Sequence, residues 1–282
     1  VNELVIKDYD LNMTLLGGQA FNWDFEPNEN CFWGFTQDKV IQLKIPVGAY
    51  GHMPLQWQTY PNNDDFDFLK SYLRLDTNYK NILNKIQKDK HIKAAIKSYP
   101  YIRLLKQDFD QTLLSFLISS NNNIKSIRRI IRSLCLKFGK QINVNGDKFY
   151  LFPKTEILAD AKLESLLECK LGFRAKFLKG AANYILDTEL NKKIYDMNEN
   201  NARTSLIEIS GVGDKIADCI LVFSLGFDNV TPLDIWGKRF LTRFYKLNPK
   251  MKYKDMRTWI DNYFEGYAGW AGQFLYEYIR NL

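Results

Sequence analysis

Histidine and cysteine are scarce in this sequence. Only His52 and His91 occur among 282 residues, and neither has a partner at ligand spacing. Imidazole-based acid–base chemistry and histidine metal centres are therefore not expected. The four cysteines, Cys31, Cys135, Cys169 and Cys219, are widely scattered with no CxxC pair. That spacing excludes zinc-finger and iron–sulfur patterns and argues against a disulfide framework. No apolar run reaches the length of a membrane span, and the opening VNELVIKDYD has no signal-peptide core. A protein of the cytoplasm or nucleoid, or of a nucleus, is expected rather than a secreted one. There is no internal repeat and no low-complexity linker.

What is present is aromatic and basic. Aromatics make up 15% of the chain, and 39 Lys+Arg against 32 Asp+Glu give a net charge of +7. The excess is unevenly placed. Residues 1–78 hold 5 basic and 11 acidic side chains, so residues 79–282 hold 34 and 21, a net of +13. Such a surplus permits a polyanionic partner without proving one.

The early segments read as strands. Cys31–Thr36 and Val40–Ile45 flank Gln37-Asp38-Lys39 as a hairpin, with Ile41, Leu43 and Ile45 alternating with Gln42 and Lys44. Leu55–Thr59 alternates in the same way. From Asp64 the pattern turns helical, with acids first and bases last along Asp64–Arg74, as the helix dipole favours. Leu113–Ile118 reads as a buried helix, Leu178, Ala181, Ala182, Ile185 and Leu186 recur at helical spacing, and the asparagines of Asn198–Asn201 read as a short loop. The expected fold is α+β: an N-terminal antiparallel sheet domain with connecting helices over 1–100, then a mostly helical domain over 101–282.

The chemistry concentrates in residues 204–226, TSLIEISGVGDKIADCILVFSLG. One apolar helix ends at Gly211-Val-Gly213 and another starts at Asp214, a helix-hairpin-helix. Two glycines around one small residue let the chain reverse and present successive N–H groups to a phosphate oxygen; the same turn can also be purely structural. Lys215 lies in the first turn of the second helix. It is either an exposed surface lysine or an amine whose ammonium form the helix field and partial burial disfavour, hence a Schiff-base nucleophile. Cys219, one turn on, is either a small core residue or part of a pocket. Asp234, nineteen residues after Lys215 in Thr231-Pro-Leu-Asp-Ile-Trp236, reads as the N-cap of a helix over Ile235–Phe244. Capping would also hold its carboxylate in a fixed direction. On the helix after Asn123, Lys125, Arg128, Arg129 and Arg132 share one face opposite Ile127, Ile130, Ile131 and Leu134, either a solvated stripe or a phosphate-facing one.

The hairpin, its lysine and the downstream Pro-x-Asp resemble the helix-hairpin-helix DNA glycosylases. More narrowly, Gly18-Gln-Ala-Phe-Asn-Trp23, Ser119–Ile124, Leu171-Gly-Phe-Arg174 and Tyr267-Ala-Gly-Trp-Ala271 resemble, in order and spacing, the 8-oxoguanine DNA glycosylase/AP lyase family. The resemblance implies a bifunctional enzyme acting as a monomer on duplex DNA that contains an oxidised guanine, with no required cofactor and no membrane. Lys215 would attack C1′ and form the Schiff base for β-elimination; Asp234 would stabilise the charge developing on the sugar. Gly18 would accept the N7–H of 8-oxoguanine, Cys219 and Tyr276 would face the base, and Gln273 would read its edge. Gln273 stands one residue beyond the family's glutamine position, which Gly272 occupies. Phe173 would wedge into the stack, while Asn121 and Arg174 would contact the orphaned base; alternatively Phe173 is core and Ser119–Asn123 a polar helix end. Gly211 and Gly213 would bind phosphate, and the carbonyls of Ile207, Ile209 and Val212 would hold a monovalent cation. Two positions depart from the family: Ser126 replaces an arginine that enforces cytosine, implying relaxed opposite-base preference, and Trp236 replaces a phosphate-contacting histidine. The alternatives are a glycosylase for alkylated or other oxidised bases and a non-catalytic DNA-binding module; an endonuclease III-like enzyme would need a four-cysteine cluster.

Overall fold

The computed structural model describes residues 2–46, 53–61 and 65–282; His52 and Asp64 lie outside them. Strand β1 (Asn2–Ile6) is followed by helix α1 (Leu11–Leu16), then β2 (Trp23–Glu26), β3 (Cys31–Phe35), β4 (Val40–Lys44) and β5 (Met53–Tyr60). The strands form one antiparallel sheet in the order β1-β5-β4-β3-β2. Phe35 pairs with Val40 across the expected hairpin. Its turn is held by Thr36, whose Oγ1 accepts the N–H groups of Asp38 and Lys39 at 3.2 and 3.1 Å. The alternation has the predicted sense: Ile41, Leu43, Leu55 and Trp57 are buried on one face. Against them pack α1 and α2 (Phe66–Tyr72) through Leu11, Leu15, Leu69, Tyr72 and Leu73. Asp10 and Asp65 cap these two helices.

The rest of the chain is helical with one exception. Helices α3 (Tyr79–Ile86) and α4 (Lys90–Ser98) lead to α5 (Phe109–Ile118), every residue of which is buried, and to α6 (Ile124–Phe138). Then comes a hairpin, β6 (Gln141–Val144) and β7 (Asp147–Tyr150), turning at Asn145 and Gly146, both at positive φ. Sequence periodicity did not predict it. It packs Ile142, Val144 and Phe149 against Trp33, Phe35, Val40 and Tyr60, so the second part of the chain returns to the sheet. Short helices α7 (Thr155–Asp160) and α8 (Leu163–Glu168) precede α9 (Arg174–Thr188), which packs on α5, and α10 (Leu190–Lys193) follows.

The asparagine-rich stretch is not a loop. Asn198 caps α11 (Glu199–Ile207), its Oδ1 accepting the N–H of Asn201 at 3.0 Å, and the other three asparagine-segment residues lie in the helix. Helix α12 (Asp214–Ile220) runs directly into a π-helical turn, Leu221–Leu225. Helices α13 (Ile235–Tyr245), α14 (Tyr253–Phe264) and α15 (Ala268–Arg280) complete the body. Its core joins α5, α9, α12 and α15 with residues that precede position 100: Tyr79, Ile82, Ile86, Ile92 and Ala95.

Candidate active site

The reversal between α11 and α12 depends on two different properties of glycine. Gly211 has φ +92°, and a Cβ there would lie 2.7 Å from the ring of Phe177 on α9. Gly213, the N-cap of α12, has nothing within 4 Å of a Cβ position and is exposed, so the first-turn N–H groups face open space. The carbonyl of Ile209 accepts the N–H of Val212 at 2.9 Å. Those of Ile207 and Val212 take no donor among the described residues.

Lys215 follows in the first turn, half-buried. Its Nζ lies 3.4 Å from Oγ of Ser119 and 5.3 Å from the ring centre of Phe116, both at the end of α5. Among the described residues it forms no ion pair, so the amine has only neutral partners, the Ser119 hydroxyl and the Cys219 thiol. Cys219 is buried behind it. Burial pushes that thiol up to about 12 against the opposing pull of Lys215, with Asp218 and Asp234 raising it further, so it stays protonated.

Asp234 caps α13 as predicted: its Oδ1 accepts the N–H groups of Trp236 and Gly237, both at 2.9 Å. Its Oδ2 has no donor among the described residues. One oxygen therefore fixes the direction in which the other is offered. The segment carrying Asp234 is fastened at two further points. Thr231 donates its hydroxyl to the carbonyl of Ala268, and Leu233 donates its N–H to the hydroxyl of Tyr253 at 3.1 Å. That hydroxyl in turn donates to Asp218 on α12 at 2.5 Å. Asp218, fully buried, is ion-paired with Arg203, and Arg257 lies 3.7 Å away. Tyr253, Asp218 and Arg203 were not anticipated. The available signal was an acid inside an otherwise apolar helix, Ile216-Ala-Asp-Cys-Ile220.

The expected base-side residues gather beside this pair. Gly18 has φ +108°, and a Cβ there would meet Ile124 at 3.1 Å and the Tyr276 hydroxyl at 3.5 Å. Burial pushes the Tyr276 hydroxyl up, Arg280 pulls it down, and the charge of Asp234 adds a smaller upward push. Helix α15 is regular through Gly272, where a Cβ would collide with Thr231, so Gln273 remains one residue round from it. Gln273 is 7% exposed and its Nε2 has no acceptor among the described residues.

The residues expected opposite the lesion also meet. Asn121, at φ +53°, is exposed just beyond α5. Arg174 donates from Nε to the carbonyl of Ser120 at 2.7 Å and from Nη2 to that of Asn121 at 2.9 Å. Its guanidinium lies 4.5 Å from the ring centre of Phe173. Phe173 is 57% exposed, which removes the core reading. On α6 the basic stripe divides. Arg128 donates to the carbonyl of Leu16 at 3.3 Å and the exposed Arg132 pairs with Asp24, while Lys125 and Arg129 are exposed with no ion pair among the described residues. Trp236 stacks with Arg239, 4.4 Å from its ring centre, next to Ile235 at 70% exposure. Among the described residues no group of acidic, histidine or cysteine side chains could hold a metal ion, and no helix is long and apolar enough to cross a membrane.

A helix-hairpin-helix that offers backbone N–H groups, with an amine and an oriented carboxylate behind it, defines a DNA-processing site. The family comparisons agree. The 8-oxoguanine DNA glycosylase N-terminal domain matches over residues 3–113, and the HhH-GPD superfamily of base excision DNA repair proteins over 114–265. The chain is 33% identical to the N-glycosylase/DNA lyase of Saccharomyces cerevisiae over 86% of its length and 70% of that protein. MBOgg1, solved with a low-affinity DNA ligand, superposes with a TM-score of 0.90 at 30% identity, covering 100% of this chain and 99% of that one. The 8-oxoguanine glycosylase/lyase of Clostridium acetobutylicum, solved with duplex DNA carrying cytosine opposite 8-oxoguanine, gives 0.89 at 29% identity, covering 100% and 98%. The chain belongs to the 8-oxoguanine DNA glycosylase family of N-glycosylase/DNA lyases within the HhH-GPD superfamily.

Proposed function

We propose that this enzyme excises 8-oxoguanine from duplex DNA and then cuts the strand, with Lys215 as nucleophile. The observation that carries the reading is the placement of the Lys215 amine, which among the described residues has only neutral partners, the Ser119 hydroxyl and the Cys219 thiol, on the same helix as Cys219 and beside the loop of Asp234. In its neutral form the amine attacks C1′ as the C1′–N9 bond breaks, and the base leaves with a proton. The free Oδ2 of Asp234 stabilises positive charge growing on the sugar. The C1′–O4′ bond then breaks and O4′ takes a proton, so the opened sugar is held as a Schiff base; this acidifies the 2′ position, and loss of a 2′ proton expels the 3′ phosphate.

Extruding the base costs roughly a few kcal/mol. The exposed Phe173 supports a wedge role, with Asn121 and Arg174 against the orphaned partner and Gly211 and Gly213 on phosphate. Gly18, Cys219 and Tyr276 support a lesion pocket; Gln273 is assigned to its edge on burial and its unpartnered amide. Ser126 in place of an arginine removes one bidentate donor, which implies losing roughly 1–3 kcal/mol of preference for cytosine. The carbonyls of Ile207, Ile209 and Val212 are neutral oxygen donors of the kind a monovalent cation takes, and would rigidify the hairpin if one binds. The enzyme would work as a monomer wherever the genome lies, in a nucleoid or a nucleus.

The test is borohydride trapping on an end-labelled duplex with one 8-oxoguanine paired in turn with each base. A covalent band that Lys215→Gln lacks is expected, of comparable strength opposite cytosine and adenine. Release of an alkylated base with none of 8-oxoguanine would overturn the substrate assignment, and a hundredfold preference for cytosine the opposite-base one.

A further inference from the structure

The turn that follows α1 presents four successive carbonyls, and three are occupied by long side chains from elsewhere in the fold. Arg128 of α6 donates from Nη2 to Leu16 O at 3.3 Å. Arg280 of α15 donates from Nη1 to Gly17 O at 3.2 Å. Gln107 donates from Nε2 to Gln19 O at 2.6 Å. The side chain of Gln19 is itself pinned, donating to Arg103 O and accepting from Leu105 N, both at 2.8 Å. Among the described residues, only the carbonyl of Gly18 has no donor in this run. It is the group assigned to the N7–H of the oxidised base.

We propose that Arg128 and Arg280 are specificity-determining positioning residues: a two-sided clamp that consumes the neighbouring carbonyls and leaves that of Gly18 aimed at the lesion. The inference rests on the lesion reading given above. Arg280 reaches further into the site than a helix-end cap requires. The same Nη1 donates to the Tyr276 hydroxyl at 3.2 Å, so the wall of the pocket and the turn are set by one guanidinium. Its Nη2 lies 3.5 Å from Oε2 of Glu277, a fully buried carboxyl whose Oε1 would be 2.7 Å from a Cβ on Gly17. Gly17 is therefore packed so closely that no side chain would fit there. With φ of +108° Gly18 alone supplies the backbone freedom, and the arginines remove it again once the fold has formed. Discrimination follows from geometry. Unmodified guanine has an acceptor at N7, and a fixed carbonyl facing an acceptor is repelled, whereas a mobile one could turn aside.

Arg128→Met and the double variant Glu277→Gln/Arg280→Met test this; the second removes both charges of the pair rather than stranding one. Each is assayed in single turnover on three duplexes: 8-oxoguanine, 8-methoxyguanine, which has no N7–H, and a preformed abasic site. Abasic-site cleavage uses the fold and Lys215 but no base. The expected result is that the ratio of 8-oxoguanine excision to abasic-site cleavage falls about tenfold in each variant, the worth of one well-aimed hydrogen bond. The gap between the two modified bases should narrow with it, and Arg280→Lys should recover part of both. Equal losses on all three duplexes would make the arginines plain structural supports and overturn the proposal, as would an unchanged ratio. If the wild-type protein cleaves abasic DNA and excises no 8-oxoguanine, the substrate assignment itself fails and the clamp falls with it.

Discussion

Tyr253 donates its hydroxyl to the buried carboxylate of Asp218 while accepting the backbone N–H of Leu233, the residue before Asp234. One phenol therefore ties the helix that carries Lys215 to the segment that carries Asp234. Tyr253→Phe leaves a buried N–H unmatched and Asp218 one donor short. We expect stability to fall by about 1–3 kcal/mol. Excision should slow by about tenfold with lesion-DNA affinity unchanged, because the loss lies in alignment. Denaturant unfolding and single-turnover assays check the two parts.

Lys215→Gln is expected to abolish borohydride trapping and strand cleavage while retaining duplex binding. Ser119→Ala, which removes only a neutral partner 3.4 Å from the amine, should slow excision by no more than about tenfold. A titration of binding by anisotropy beside the trapping gel separates the two effects.

Phe173→Ala should leave the melting temperature nearly unchanged, since the ring is more than half exposed. Base excision should fall by tenfold or more, on the order of the cost of unstacking without a wedge. A fluorescent base analogue beside the lesion would report the same loss directly, as reduced extrusion.

Glu277 supplies a pH signature. Burial raises its carboxyl to about 7, Arg280 pulls it down and Asp10 pushes it up. A carboxyl raised on folding holds its proton more tightly in the native state. Its contribution to stability is full below the ordinary value of 4.5 and is lost as pH rises through about 7. Glu277→Gln cannot ionise. Between about pH 5 and pH 8 the melting temperature of the variant should therefore gain on the wild type by roughly 5 °C. Parallel melting curves of the two proteins over that range decide it.

Much of the site was legible because its members carry local signatures. Gly211-Val-Gly213 before a helix, and Asp234 before another, are determined by backbone chemistry within a few residues, and both stand where the spacing put them. Phe173 could not be decided between core and wedge, since an aromatic after Gly172 fits either; its exposure is a property of the assembled fold. The links that set the geometry were invisible for the same reason. Tyr253 to Asp218, and Arg128 and Arg280 to the turn at Gly17, join residues far apart in sequence whose types are common on any surface. Of the stripe on α6, which the sequence left open between a solvated face and a phosphate-facing one, Arg128 is drawn to the carbonyl of Leu16 and the exposed Arg132 pairs with Asp24. The β6–β7 hairpin was a different kind of miss. Asn145-Gly146 is a strong turn signal, but the flanking Gln141–Val144 and Asp147–Tyr150 are short and half polar, and their apolar residues become meaningful only against Trp33 and Phe35.

The placement of α3 and α4 bears on how the protein comes into being on the ribosome. Their inward residues, Tyr79, Ile92 and Ala95, share a core with Trp270, Phe274 and Leu275 of α15. Tyr79 and Trp270 bring their rings within 6.0 Å. During synthesis these helices emerge early and must wait, apolar faces uncovered, until residues 268–280 have left the exit tunnel. The sheet has a core of its own, with Leu15, Trp23, Ile41 and Leu55, to which no residue of α15 contributes. A nascent chain stalled before α15 would thus hold a finished sheet and no working pocket, a state that chaperones, not DNA, would meet.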